Sequence, residues 1–313
     1  MLTSLLMPST RIITNNMKYH SPLVTVIVIT YNSAKYIRET LNSVKNQTFN
    51  DIELIISDDC STDNTLDIVT DWVEINHRKI GKHGKDPLII TTDNNGGICH
   101  NYNNGLKFSH GKYIKYIAGD DILEVDCISS FVEAAEKCDD KIFICGTKPF
   151  TNSHTCLPER LLPEKWFKGD FRSQEKLIVR KGTIIEGPTL FLHRETLLSL
   201  NGFEEKYPFI EDYPLYMKFL KNGYRINLVQ KCLIRYREYP ESVSRSDNRF
   251  SKSIIDAIED YAIPAAWRNK LYFHWYHETV KYAIRHKTHS KIVLYIMSAL
   301  DIINWRNKIQ KKH

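Results

Sequence analysis

Short apolar runs alternate along the chain with stretches in which apolar residues recur at helix spacing. Val24-Thr-Val-Ile-Val-Ile-Thr30 is β-branched throughout, the pattern of a strand covered on both faces. Polar Tyr31-Asn32-Ser33 ends it, and Ile37, Leu41 and Val44 then mark one face of a helix. The alternation repeats with a strand at Ile52–Ser57, a helix carrying Leu66 to Ile75, a strand at Leu88–Thr91 and a helix at Ile98–Phe108. A further strand, Tyr113-Ile-Lys-Tyr-Ile-Ala-Gly, stops at Asp120-Asp121. Strand and helix in strict turn predict an α/β fold with a mostly parallel sheet and helices on both faces.

The later pattern is looser. A helix is expected over Cys127–Cys138, a strand over Lys141–Cys145, and a long loop over Thr151–Asp170, where Pro158 and Pro163 interrupt any periodicity. Gly187–Leu192 reads as a strand and Arg194–Leu200 as a helix stopped by Asn201-Gly202. Glu211-Asp212 opens a helix that Asn222-Gly223 closes, and two short strands follow at Tyr224–Val229 and Cys232–Tyr236. Lys252–Tyr261 and Ala265–Lys308 read as helices separated by Pro264.

Composition adds two things. With 313 residues, 42% hydrophobic and 26% charged, the chain has the make-up of a soluble globular protein and can bury a sizeable core. Its charge of +6 is uneven: from Ala265 onward ten Lys/Arg face only Glu278 and Asp301, an excess of eight, which leaves the rest of the chain at −2. Trp267, Tyr272, Phe273, Trp275, Tyr276, Tyr282, Tyr295 and Trp305 are interleaved with those cations. Such a segment suits a membrane surface, with Tyr295, Ile296, Leu300 and Ile303 on one helical face; nothing else in the chain has the character of a nucleic-acid-binding module. The seven cysteines form no C-x-x-C pair and no zinc spacing, and read as thiols in a reducing compartment. No run is long and apolar enough to span a bilayer, and Leu2–Met7 lacks the charge and length of a signal peptide. Residues 1–20 are expected to be a disordered extension, with Met17 a second candidate start beside Met1.

The candidate chemistry lies at the strand tips. No glycine-rich phosphate loop follows the first strand. Polar residues gather there instead: Tyr31-Asn32, Asp58-Asp59, Asn94 to Gly105, and Asp120-Asp121, at the carboxyl ends where open α/β sheets place ligands. Adjacent acids at a strand tip either share a cation, most simply a divalent metal on a phosphorylated substrate, or cap the following helix. Asp59 and Asp212 carry the same ambiguity, since each precedes or opens a helix.

Taken in order, Val-Ile-Val-Ile-Thr-Tyr-Asn32, Ser43-Val-Lys-Asn-Gln-Thr-Phe49, Ser57-Asp-Asp-Cys-Ser-Thr-Asp-Asn-Thr65, Asn95-x-Gly97, Asn103-x-Gly105, Gly111-Lys-Tyr-Ile, Asp120-Asp121, Asn201-Gly202-Phe203 and Glu211-Asp212 resemble the inverting glycosyltransferases of family 2 over roughly Leu23–Tyr236. The resemblance implies a GT-A fold over residues 21–240 and a helical, basic, aromatic-rich region over 241–313. It implies sugar transfer from a nucleotide-sugar, most often a UDP-sugar, to a hydroxyl of a saccharide acceptor, undecaprenyl-diphosphate-linked in the enzymes that build O-antigen or capsule. Such enzymes sit on the inner face of the cell membrane. Carried over by position, Tyr31 lies against the nucleobase, Asp59 accepts from its ring N–H, and Asp120 faces ribose and sugar. Asp121, with Asp120, holds Mn²⁺ or Mg²⁺, and Asp212 is the catalytic base. Three positions depart from the family pattern: Ala118 where an acid is common, Tyr102 where Arg is, and Cys60 where Gly is. A sugar nucleotidyltransferase and a non-catalytic carbohydrate-binding protein share such a sheet; the first starts with a Gly-rich, Arg-containing loop where this chain has Thr30-Tyr-Asn-Ser-Ala.

Overall fold

The computed structural model describes residues 22–76, 80, 86–182, 184–240 and 248–285. The expected disordered extension over 1–20 and the amphipathic face at Tyr295–Ile303 lie outside the described residues. Strands β1 (Val24–Thr30), β2 (Ile52–Asp58), β3 (Leu88–Thr91) and β4 (Tyr113–Ala118) form a parallel set, with β1 between β2 and β4. Helices α1 (Ile37–Lys45), α2 (Thr65–Asn76) and α3 (Ile98–Lys107) connect them. Then come β5 (Ile122–Leu123), α4 (Cys127–Glu136), β6 (Ile142–Thr151), α5 (Phe171–Lys181), β7 (Phe191–His193), α6 (Arg194–Ser199), α7 (Asp212–Lys221) and β8 (Ile226–Glu238). The eight strands form one sheet in the order β3-β2-β1-β4-β7-β6-β8-β5, with β7 and β5 antiparallel to their neighbours. This is the α/β GT-A architecture expected from the sequence, a mostly parallel sheet between helices with a helical segment after it.

The β-branched run of β1 works as its composition predicts. Val24, Val26 and Val28 point into one core with α1, α2 and α4, and Ile27 and Ile29 into the other with α3 and α7. Each buried β-branched side chain stabilises the fold by roughly 1.5–3 kcal/mol, so a strand with seven buried positions has little freedom to sit elsewhere.

Four expectations are corrected. Gly187–Leu192 is not one strand: Gly187–Thr189 is a 3-10 turn with Pro188 at its start, and only Phe191–His193 pairs. The carbonyls of Pro188 and Leu190 are taken by the ammonium of Lys115, a fully buried lysine on β4 that also donates to Tyr116 O. The two strands expected at Tyr224–Val229 and Cys232–Tyr236 are one, Ile226–Glu238; the polar break at Gln230-Lys231 is a bulge, where the register on β6 jumps from Ile144↔Leu228 to Gly146↔Cys232. Helix α8 (Asn248–Arg268) runs through Pro264 and ends at Arg268, after which Lys270, at φ 58°, turns the chain into α9 (Tyr272–Arg285). Proline removes one helical hydrogen bond, and packing of Ala257, Ala265 and Ala266 into the main core outweighs that loss. Finally, α5 went unpredicted although Asp170 caps it by accepting from Ser173 N–H at 2.9 Å.

Candidate active site

The strand-tip motifs first interlock with one another. Asn32, in the left-handed region at φ 50°, accepts the Thr62 N–H at 2.8 Å and donates its own N–H to Ser61 Oγ at 2.8 Å, tying the end of β1 to the end of β2. Asp58 is buried and accepts from Thr30 Oγ1 and Ser61 Oγ, both at 2.6 Å. Asp63, not Asp59, caps α2 by accepting from Thr65 N–H. Cys60 has φ 63°, which is why Gly suits that position. Tyr102 packs against Tyr116 and Phe203 with ring centroids 4.4 and 5.1 Å away, so it belongs to the core.

With the loops so fixed, Tyr31 stands half-exposed at the tip of β1. Asp59 is buried beside it, its backbone N–H bonded to Thr30 O. Its carboxylate accepts from Gly96 N–H (3.0 Å), Gly97 N–H (2.8 Å) and Thr92 Oγ1 (3.1 Å), leaving about one of its roughly four acceptor positions for a ligand. Gly97 opens α3 at φ 88°, and a Cβ there would meet Pro208 O at 2.7 Å. The segment before α7 therefore rests directly on the Asp59 loop.

Asp120 and Asp121 follow β4. Antiparallel pairing of β5 with β8, Ile122 opposite Arg235, brings Arg237 alongside them. Arg237 donates its N–H to Asp121 Oδ1 and its Nε to Asp120 O, each at 2.8 Å, and Nη2 reaches Glu39 at 3.0 Å. Its guanidinium lies over the rings of Tyr36 and Phe150. Tyr239 donates its hydroxyl to Asp120 Oδ2 at 2.7 Å. Asp121 is only 2% exposed, whereas Asp120 is part-exposed. Burial, with the adjacent Asp120 charge, pushes the Asp121 carboxyl well up; burial also raises Asp120, against the Tyr239 hydroxyl and Arg237. A paired acid site held at that cost suits a divalent cation. No cluster of three or more His, Cys, Asp or Glu among the described residues could hold one, so other ligands would have to come from substrate phosphates and water, the usual situation for Mg²⁺.

Glu211 and Asp212 form a second acid pair at the start of α7. Gly187 makes room for them: a Cβ there would lie 1.9 Å from Glu211 Oε1. Burial, then the Asp212 charge, raises Glu211 to about 8, and burial raises Asp212 to about 7. The pair therefore titrates near neutrality, where a general base is most useful. Glu186 raises both Asp121 and Asp212, and the Tyr236 hydroxyl feels Asp121, Glu186, Asp120 and Glu211 together, so the two acid pairs lie within electrostatic reach of one another. The structure thus gathers Asp120, Asp121 and Asp212 with Glu211, which the sequence reading named only as part of a motif, and with three residues it did not single out: Glu186, Arg237 and Tyr239. Tyr31 and Asp59 stand at the neighbouring strand tips, β1 and β2, of the same sheet edge.

Comparison with known proteins adds to this geometry. Residues 25–198 match the family model described as Glycosyl transferase family 2. The chain is 26% identical over 226 residues to the uncharacterized glycosyltransferase EpsJ of Bacillus subtilis, covering 71% of this chain and 63% of EpsJ. It is 30% identical over 215 residues to a chondroitin synthase of Pasteurella multocida, 68% of this chain but 20% of that protein. It thus spans less than two thirds of either relative. To the putative teichuronic acid biosynthesis glycosyltransferase TuaG of Bacillus subtilis it is 27% identical, over 74% of this chain and 85% of TuaG. The crystal structure of S. aureus TarS 1–349 with UDP-GlcNAc superposes with a TM-score of 0.60 at 24% identity, over 77% of this chain and 65% of that one. The mannosyltransferase PcManGT of Pyrobaculum calidifontis, with GDP-Man and Mn²⁺, gives 0.54 at 17% identity, over 91% and 81%.

Proposed function

The chain belongs to glycosyl transferase family 2, and from that premise we propose that it moves a sugar from a nucleotide-sugar, a UDP-sugar first among the candidates, to a hydroxyl of a saccharide acceptor with inversion. The observation that carries the reading is the gathering of two acid pairs around Tyr236 and Glu186, Asp120/Asp121 after β4 and Glu211/Asp212 at the start of α7. Inversion is a single in-line displacement, so it needs one base, one acceptor hydroxyl and relief of charge on the departing diphosphate. Asp212, raised to about 7, takes the acceptor proton. Asp59 and Tyr31 hold the base, and Asp120 orients ribose and sugar. Asp120 and Asp121 would hold Mn²⁺ or Mg²⁺, which would supply Lewis-acid neutralisation of the diphosphate. That UDP and Mn²⁺ accompany the similar folds of TarS and PcManGT supports this choice of ligands. A panel of UDP-, GDP- and dTDP-sugars, scored by donor hydrolysis and by thermal shift with Mn²⁺, tests the assignment. One donor should both stabilise the protein and be turned over; a protein that no donor stabilises is a binding module of another kind.

The acceptor we propose is lipid-linked, in the assembly of a surface polysaccharide, with the enzyme on the inner face of the cell membrane. Among the described residues no helix is long and apolar enough to cross a bilayer. At the corner between α8 and α9, however, Trp267, Tyr272 and Phe273 are each more than half exposed, and Trp267 contacts Tyr272 and Trp275 at ring-centroid distances of 5.5 and 4.9 Å. Exposed aromatics beside a segment with eight excess positive charges fit the headgroup layer of an anionic bilayer. The full chain should float with anionic liposomes and release as salt rises. Trp267→Ala/Phe273→Ala should float several-fold less without losing donor hydrolysis, and equal flotation would remove this surface from the account.

A further inference from the structure

We propose that Arg160 is a positioning residue that joins the two acid pairs of the site, bridging Glu186 on the Asp212 side to Glu238 on the Asp120/Asp121 side. Its Nη1 donates to Glu186 Oε1 at 2.8 Å and its Nη2 to Glu238 Oε1. The backbone beneath it is fixed, since Arg160 and Thr147 of β6 exchange N–H···O bonds of 2.9 Å in both directions. A guanidinium fork on an anchored stem can hold two carboxylates at a set separation, which a lysine cannot.

Both partners are placed to transmit this. Glu238 lies between Arg237 and Tyr239, the two residues that bond to Asp120 and Asp121. Glu186 immediately precedes Gly187, the residue against which Glu211 closes, and Lys115 pins the turn that begins there. The bridge therefore spans donor side and base side from a segment, residues 152–170, that the family motifs leave out.

The same contact sets a charge. Asp212 is faced by Glu211 beside it, by Glu186 from the turn before β7, by Tyr213 and Tyr216 of its own helix and by Cys99 of α3, while Tyr102 of α3 and Tyr236 of β8 face Glu211. Glu175 of α5 and Glu278 of α9 face Tyr213 and are paired with Arg268 and Lys281. Glu186 is the carboxylate outside the Glu211/Asp212 pair that raises Asp212, and Arg160 is the cation bonded to it. Losing Arg160 leaves Glu186 unopposed and should disfavour the Asp212 anion further.

This inference rests on Asp212 being the base, but its test can be read without turnover. In the full chain with ¹³C-carboxyl-labelled aspartate, the Asp212 resonance is assigned by its loss in Asp212→Asn and titrated. Arg160 is half-exposed, so Arg160→Met should fold, which an unchanged melting profile checks. We expect Arg160→Met to raise the Asp212 midpoint by about half a unit or more, Glu186→Gln to lower it, and the double variant to return close to wild type. Once a donor is found, the acid limb of kcat should move in the same directions, with kcat down about tenfold in Arg160→Met and donor KM within about twofold. A midpoint unmoved in Arg160→Met, or a double variant no nearer wild type than the single, overturns the proposal. Full turnover in Asp212→Asn would instead overturn the assignment of the base.

Discussion

Asp212→Asn is expected to lower kcat by roughly 10²-fold or more while donor affinity stays near wild type, because the amide keeps the shape and the bond to Tyr213 N–H but cannot take a proton. The wild-type rate should rise between about pH 6 and pH 8 as the Glu211/Asp212 pair ionises, and the variant should lose that limb. A second, opposite effect separates this from a merely structural acid. Both carboxyls have folded values above their ordinary ones, so the folded state binds more protons than the unfolded state and their contribution to stability falls as pH rises from about 4 through about 7–8. Neutralising Asp212 should therefore raise Tm over wild type, more at pH 8 than at pH 5, by about 2–4 °C for each kcal/mol relieved. A helix-cap acid would do the reverse, its loss lowering Tm. Low activity together with a higher Tm at pH 8 is the signature; unchanged kcat would dismiss Asp212 as the base.

How much of this was legible in the sequence follows from what each residue is bound to. Strands β1, β2 and β4 are buried on both faces, so each is built around a core of Val, Ile, Leu or Tyr that is hard to misread. The acids at their tips were equally visible, but the sequence could not say which serve a ligand and which serve the loops: Asp58 and Asp63 bind protein, Asp59 mostly so. Arg237 and Tyr239 escaped notice because they meet Asp120 and Asp121 only through the β5–β8 pairing, across more than a hundred residues of chain. Glu186 and Arg160 sit in segments without periodicity, where only the fold brings them together. The stretch around Pro188 looked like a strand because its apolar residues are buried; what binds its carbonyls is Lys115, a charge that no β pattern announces. α5 could have been found, since an Asp170-x-x-Ser173 cap precedes Gln174, Glu175, Ile178 and Val179, one face of a helix.

Burial changes what is expected at the Asp120/Asp121 pair. Asp120→Ala and Asp121→Ala should each reduce transfer by about 10²-fold or more, and chelator should do the same to the wild type, with Mn²⁺ or Mg²⁺ restoring it. The two substitutions should differ in stability. An exposed strand-tip acid could be removed at no cost to the fold, and Asp120 comes closer to that than Asp121: it is part-exposed, and its loss frees the part-buried Tyr239 hydroxyl. Asp121 is buried, and its removal strands the Arg237 N–H it accepts, a cost of about 1–3 kcal/mol, partly offset by relief of a carboxyl whose ionisation burial disfavours. Asp121→Asn keeps the acceptor and removes the charge, so it should melt at or above the wild-type temperature and still be inactive. In thermal-shift titrations with UDP, Mn²⁺ should add stabilisation to the wild type and none to Asp120→Ala or Asp121→Asn. Stabilisation by Mn²⁺ with UDP that survives both substitutions would place the cation elsewhere, and transfer that persists in chelator would mean that a cation already in the chain, Arg237 first among them, neutralises the leaving diphosphate in place of a metal.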